Sequence, residues 1–169
     1  MRPGELLALK WEDVDLEAGI LSINRTLSMA GEFAAPKTAK SRRRIQLPAS
    51  SVSALRAHRK RQLEERMRLS SLWRDHGLVF PSTIGTPLHH RNLSRAFKEL
   101  LMRAGLPETV RLYDLRHTCA TLLLSRNVHP KYVQELLGHA SITLTLDTYS
   151  HVLPGMDGAA ASAMEDALS

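Results

Sequence analysis

Between residues 93 and 104, apolar side chains recur at Leu93, Ala96, Phe97, Leu100, Leu101 and Ala104, and Gly105 follows. That is the i, i+3, i+4, i+7, i+8, i+11 series of a helix with one apolar stripe, closed by a residue suited to a left-handed cap. A strand would scatter the same residues over both of its faces, so the segment predicts an α-helix whose stripe belongs to the core. The flanking sequence repeats the pattern. Leu112, Leu115, Cys119, Leu122 and Leu123 mark a further helix, and residues 131–137, between Pro130 and Gly138, mark another. Ser141 is placed to cap one more, running toward Tyr149. Upstream, residues 51–72 carry Val52, Leu55, Leu63 and Met67 on one side of a long basic helix, and Pro3 suits the first turn of a short one that starts directly after Arg2. Between Gly19 and Leu47 the stretches ILSINRTL, EFAAPKT and RRRIQLP, with a turn at Gly31, predict three short antiparallel strands. LVFPSTIGTPLHH, broken by Pro81, Gly85 and Pro87, predicts a loop. The expected fold class is α+β, mainly α-helical: a helical core with a small three-stranded antiparallel sheet on one edge.

The length of 169 residues suits one domain with one core, and 43% hydrophobic against 24% charged residues excludes a disordered chain. No run of 18 apolar residues occurs, so no helical membrane span and no membrane partner are expected. Cys119 is the single cysteine, which excludes an intramolecular disulfide and fits a reducing, cytoplasmic setting. The spacing of His89, His90, His117, His139 and His151 matches no metal-site pattern, and no metal or cofactor is expected. Lys plus Arg outnumber Asp plus Glu by 23 to 17, a net charge of +6 that makes an anionic polymer the natural partner.

Some of these cations stand where chemistry could use them. Arg2 and Arg116 come from distant helical segments, and each can offer two parallel donors to one phosphate; either one alone is equally well a solvated surface arginine. Tyr113 lies one turn before Arg116 on the same side of its helix. Lys37 sits in PKTAKSRRR, whose small residues predict a tight hairpin, and with Lys40, Arg42, Arg43 and Arg44 it forms a phosphate-backbone footprint or merely a solvated basic loop. Arg56, Arg59, Lys60 and Arg61 extend that surface if the sheet and the long helix lie side by side. His139 follows Gly138 at a helix end, and Tyr149 lies ten residues on; a helix-dipole contact and a packed tyrosine are the plain alternatives.

Taken in order, MRPGELLALKWEDVDLEAG, PKTAKSRRRIQLP, LYDLRHTCATLLL, ELLGHASI and TLDTYSHV resemble the motifs of the tyrosine recombinase, or phage integrase, catalytic domain. The resemblance implies a metal- and ATP-independent DNA strand transferase. Arg2, Arg116 and His139 would stabilise the five-coordinate phosphate, with Glu5 as a supporting carboxylate. Lys37 would protonate the leaving 5′ oxygen, and Tyr149 would attack to give a 3′-phosphotyrosyl link that a second 5′ hydroxyl can reverse. The departure is Tyr113, which stands where the family usually carries His; a phenol of ordinary pKa near 10 is a poor proton shuttle at neutral pH. His117 is read only as the neighbour in the LRHT pattern.

The resemblance further implies a catalytic domain over residues 1–153 that lacks its first helices, and a tail with a short helix over 154–169. It implies that the separate N-terminal core-binding domain is absent. The partners would be double-stranded DNA and further copies of the chain, four on DNA with tails exchanged, in a bacterial or phage-encoded, nucleoid-associated setting. A non-catalytic DNA-binding relic and a type IB topoisomerase are the alternatives.

Overall fold

In the computed structural model, which describes residues 1–36, 41–149 and 164–168, the chain opens with the five-residue helix α1 (Pro3–Leu7). Pro3 begins it, as its fixed φ favours, and the Arg2 backbone N–H donates to Glu5 Oε2 at 2.8 Å, tying the helix start to a carboxylate one turn on. Two short sheets follow. Strands β1 (Val14–Asp15), β2 (Ile20–Ile23) and β5 (Arg43–Gln46) form an antiparallel sheet in the order β1-β2-β5, and β3 (Thr26–Leu27) pairs with β4 (Phe33–Ala34) as a separate ribbon. The expected third strand around EFAAPKT is therefore not in the main sheet; its place is taken by β1, two residues too short to show an alternation.

Register decides which side chains of β5 face inward. Leu21 lies opposite Ile45 and Ile23 opposite Arg43, so Arg43 and Ile45 share the face of the buried Leu21 and Ile23, while Arg42 and Arg44 point the other way. On this face Leu9, Val14, Leu21, Ile23 and Val79 form one core cluster.

Helix α2 (Ala49–Leu69) runs close to the expected boundaries, and only the first half of its apolar stripe packs, with Leu55 against the core cluster. Leu63 and Met67 are exposed, and Gln62 is buried instead. Its Nε2 donates to the carbonyls of Leu78 and Val79 at 3.2 Å, and its Oε1 accepts from Trp11 Nε1 at 2.6 Å. Arg56 donates to Glu17 at 2.7 Å and Arg59 lies 5.2 Å from the Trp11 ring centroid, so these two exposed cations also tie α2 to residues 11–17.

Helix α3 (His90–Arg103) is the segment with the strongest periodicity, yet Leu101 is its one buried residue. Leu93 packs on the cluster of Leu7, Ala8 and Leu27, whereas Leu100 and Met102 are exposed, because α3 meets α1 along one edge only. Helices α4 (Asp114–Ser125), α5 (Pro130–Leu137) and α6 (Ile142–Tyr149) bury Ala120, Leu124, Val133, Leu137 and Tyr149 against one another. The apolar series Leu115, Cys119 and Leu122 lies exposed on α4, the reverse of the expected packing. The Ser141 hydroxyl caps α6, accepting from the Leu144 N–H at 3.2 Å. A helical turn at 164–168 is exposed. Lys37, Lys40 and residues 150–163 lie outside the described residues.

Candidate active site

The C-terminus of α5 is where three of the predicted catalytic residues, Arg2, Arg116 and His139, meet, while Tyr113 and Tyr149 flank His117 on α4. A helix ends with carbonyls that have no partner within it and a partial negative charge. Here three successive carbonyls each receive a guanidinium from a different part of the chain. Leu136 O accepts from Arg43 Nε at 2.8 Å, Leu137 O from Arg116 Nη2, and Gly138 O from Arg2 Nη2 at 3.4 Å. Gly138 has φ 66°, the left-handed conformation that turns the chain toward His139. A Cβ there would lie 3.0 Å from Arg43 Nη1, so a side chain would meet both the backbone strain and a tight contact.

Glu5 binds the arginines from the other side. Arg43 reaches it with two donors, Nη1 to Oε1 at 3.1 Å and Nη2 to Oε2 at 2.8 Å, and Arg2 Nη1 adds a bond to Oε1 at 3.0 Å. The Glu5 and Arg43 side chains are 4% and 6% exposed, so this is a buried, bidentate pair. Burial alone would push the Glu5 carboxyl up, but the bonds from Arg43 and the Arg2 backbone bring it down to about 2. Arg43 therefore belongs to the frame that holds Arg2 and does not line an exposed DNA-binding face, as was expected of it. Arg42 and Arg44 do remain exposed, as strand alternation requires. The signal was in the sequence: Arg43 is two residues from the core-facing Ile45.

Arg116 is 4% exposed, and its Nη1 is buried with no hydrogen-bond partner among the described residues. Burial, then the neighbouring Arg2 cation, lowers its pKa. Among the described residues Arg2 and Arg43 pair with Glu5 while Arg116 bonds a carbonyl, so three cations meet one carboxylate. Such a cluster, with one unsatisfied donor, is built for an anion. A cleft of about 380 Å³ opens here, lined by Arg2, Glu5, Thr26, Ser41, Gly138 and His139.

His139 is 9% exposed, its Nδ1 2.9 Å from the Thr145 hydroxyl and its backbone carbonyl accepting from Gln134 at 2.7 Å. Burial, then the cations of Arg116 and Arg2, lowers its pKa to about 4, so it is neutral at pH 7. The Thr145 hydroxyl holds Nδ1 and leaves Nε2 without a bond to it, so the ring is oriented by one nitrogen.

Tyr149 is 3% exposed, and its hydroxyl lies 2.7 Å from His117 Nδ1. Burial raises its pKa, and the Arg116 cation acts in the opposite direction. The Tyr113 ring, at the start of α4, meets the His117 ring edge-on at 5.1 Å. His117 is the site residue that the sequence reasoning passed over. Its only advance signal is the four-residue spacing from Tyr113, which puts both on one helix face.

Two of the shifted groups, His139 and Glu5, set an acid response. An unfolded His binds its proton near 6.5 and His139 only at about 4, so stability falls as pH drops through that interval and the loss is complete below it. Glu5 stabilises the fold above its ordinary 4.5, and that contribution is lost as pH falls from there to about 2. Denaturant midpoints taken from pH 7 to 2.5 are expected to show two successive declines, with His139→Gln flattening the first and leaving the second.

The phage integrase family model matches residues 1–155. A tyrosine recombinase XerC-like protein of Caldanaerobacter subterraneus subsp. tengcongensis is 35% identical over 98% of this chain and 46% of its own length. Among solved structures, the Tn1549 transposon integrase in complex with transposon right end DNA is similar over 100% of this chain and 55% of that one, with a TM-score of 0.79 at 23% identity. The XerH site-specific recombinase bound to palindromic difH substrate, a post-cleavage complex, is similar over 98% and 42%, with a TM-score of 0.66 at 29% identity. The chain thus spans about half the length of the relatives it matches.

Proposed function

This chain belongs to the phage integrase family, and from that premise we propose that it is the catalytic part of a site-specific DNA recombinase that cuts and rejoins strands through a tyrosine–phosphate bond. The observation that carries the proposal is the convergence on the end of α5. Two arginines 114 positions apart, Arg2 and Arg116, bond neighbouring carbonyls there beside His139, with an excess of positive charge and a free buried donor.

Arg2, Arg116 and a neutral His139 donate to the non-bridging oxygens of a phosphodiester, where charge grows in the transition state. Tyr149 Oη attacks phosphorus, and the 5′ oxygen leaves with a proton from Lys37. Arg42, Arg44 and Lys40 hold the flanking backbone. The reaction needs no ATP, because the phosphotyrosyl link keeps the energy of the broken bond for a second 5′ hydroxyl. On the same reading the protein acts in the cytoplasm, four copies to a DNA junction. The segment 154–169 passes to a neighbouring copy; Met164 and Leu168, 63% and 81% exposed, need such a groove.

The test is a covalent adduct. Purified protein mixed with supercoiled plasmid in chelator and quenched in detergent is expected to leave protein attached to DNA, and Tyr149→Phe to leave none. Binding without an adduct at any pH would instead fit a DNA-binding relic, and relaxation without strand exchange a topoisomerase.

A further inference from the structure

The mechanism above leaves one proton without a destination. Tyr149 must lose its hydroxyl proton to attack, its burial makes ionisation harder, and Tyr113 is another phenol. The hydroxyl does have a partner of the right kind. His117 Nδ1 lies 2.7 Å from Tyr149 Oη, within the range for proton transfer, and the two ring centroids are 5.8 Å apart.

We propose that His117 is a catalytic residue that accepts the proton of Tyr149 on strand cleavage and returns it on rejoining. The proposal rests on the strand-cleavage reading and adds to it the base. The imidazole is fixed from both sides, by Tyr113 edge-on at 5.1 Å and by Tyr149, and it is half-buried on α4 next to Arg116. When Nδ1 accepts, its own proton stays on Nε2.

The charged and titratable groups around it come from three places. Tyr113, Asp114 and Arg116 belong to α4 and its start, His139 to the turn after α5, and Tyr149 to α6; Cys119 also lies near Tyr149. The Asp114 carboxyl is held below its usual range, chiefly by Arg111 at 3.0 Å.

The step balances. The proton moves from Tyr149 Oη to His117 Nδ1, Oη bonds to phosphorus, and the bond from phosphorus to the 5′ oxygen breaks. That oxygen leaves protonated by Lys37. In rejoining, the imidazolium returns its proton to the departing phenolate.

The test compares the full chain with His117→Asn and His117→Ala on supercoiled plasmid. Initial rates of adduct formation are followed across pH, with DNA retention on filters measured alongside. For the wild type an acidic limb is expected, as protonated imidazole cannot accept. His117→Asn should be about 100-fold slower or more, lack that limb, and retain plasmid within twofold. Free imidazole should restore part of the rate to His117→Ala, with the restored rate following the unprotonated imidazole. A His117→Asn rate within threefold of wild type, or a slow variant whose acidic limb is unchanged and which imidazole does not rescue, overturns the proposal and leaves the cleavage reading standing. A wild type that forms no adduct overturns both. Independently of DNA, Tyr149→Phe should move the ¹⁵N resonance of His117 Nδ1, identified by its loss in His117→Asn. An unmoved resonance overturns the pairing itself.

Discussion

Glu5→Ala is expected to destabilise the folded chain by about 3–5 kcal/mol, the usual cost of removing one partner from a buried ion pair. The carboxylate takes both Arg43 donors and one from Arg2, and Arg43 is 6% exposed, so its charge cannot turn to water when Glu5 goes. Glu5→Gln should be nearly as costly, since an amide presents a donor to the same guanidinium. Replacing both partners, Glu5→Leu with Arg43→Met, should recover most of the loss, because an apolar pair of similar volume leaves no orphaned charge. Chemical denaturation of the four proteins at pH 7 measures this. A loss under 1 kcal/mol for Glu5→Ala would mean that the pair behaves as a solvated one. The double variant should still lose DNA cleavage, since Arg2 would keep its charge but lose the carboxylate that aims it.

The second large effect separates stability from activity at Arg116. Arg116→Met should reduce adduct formation by about 100- to 1000-fold, the scale for removing one transition-state donor. Stability should hold or rise. The guanidinium is buried, lies among other cations and has an unpaired Nη1, which is a costly arrangement in a protein without an anion. Arg116→Lys should also be severely impaired, because one ammonium cannot bond the Leu137 carbonyl and reach forward to a phosphate at once. The comparison uses denaturant midpoints and adduct yields of the same preparations. A variant that loses activity and stability in proportion would show Arg116 to be a packing residue. An uncompensated buried cation is best explained as strain retained for function.

Much of this molecule is legible in its residues. Helix limits followed from Pro at the start, Gly at the end and a 3.6-residue repeat, which are local effects and need no knowledge of neighbours. The ends of α5 show it: Pro130 at its first turn and Gly138 at φ 66°. Burial was harder. Half of the apolar stripe of α3 is exposed, and on α4 Leu123 packs on the helical cluster while Leu115, Cys119 and Leu122 are exposed, because periodicity reports that a face exists and not what covers it. Gln62, not Leu63 or Met67, docks α2, as two carbonyls of a neighbouring loop offer a buried amide more than water does.

The sequence by itself determined the helices, their order and most of the candidate residues: Arg2, Arg116, His139 and Tyr149 are fixed by type and motif before any coordinate is known. Tertiary structure alone decided their relations. Only the antiparallel register turns Arg43 inward to Glu5 while Arg42 and Arg44 stay outside. Only the meeting of α1, β5 and α4 at the last carbonyls of α5 makes one charged cluster out of arginines from three parts of the chain. The reason is physical: a helix or a strand is chosen by neighbours a few residues away, whereas a guanidinium's partner, its burial and the proton acceptor at Tyr149 are chosen by groups the chain brings close only on folding.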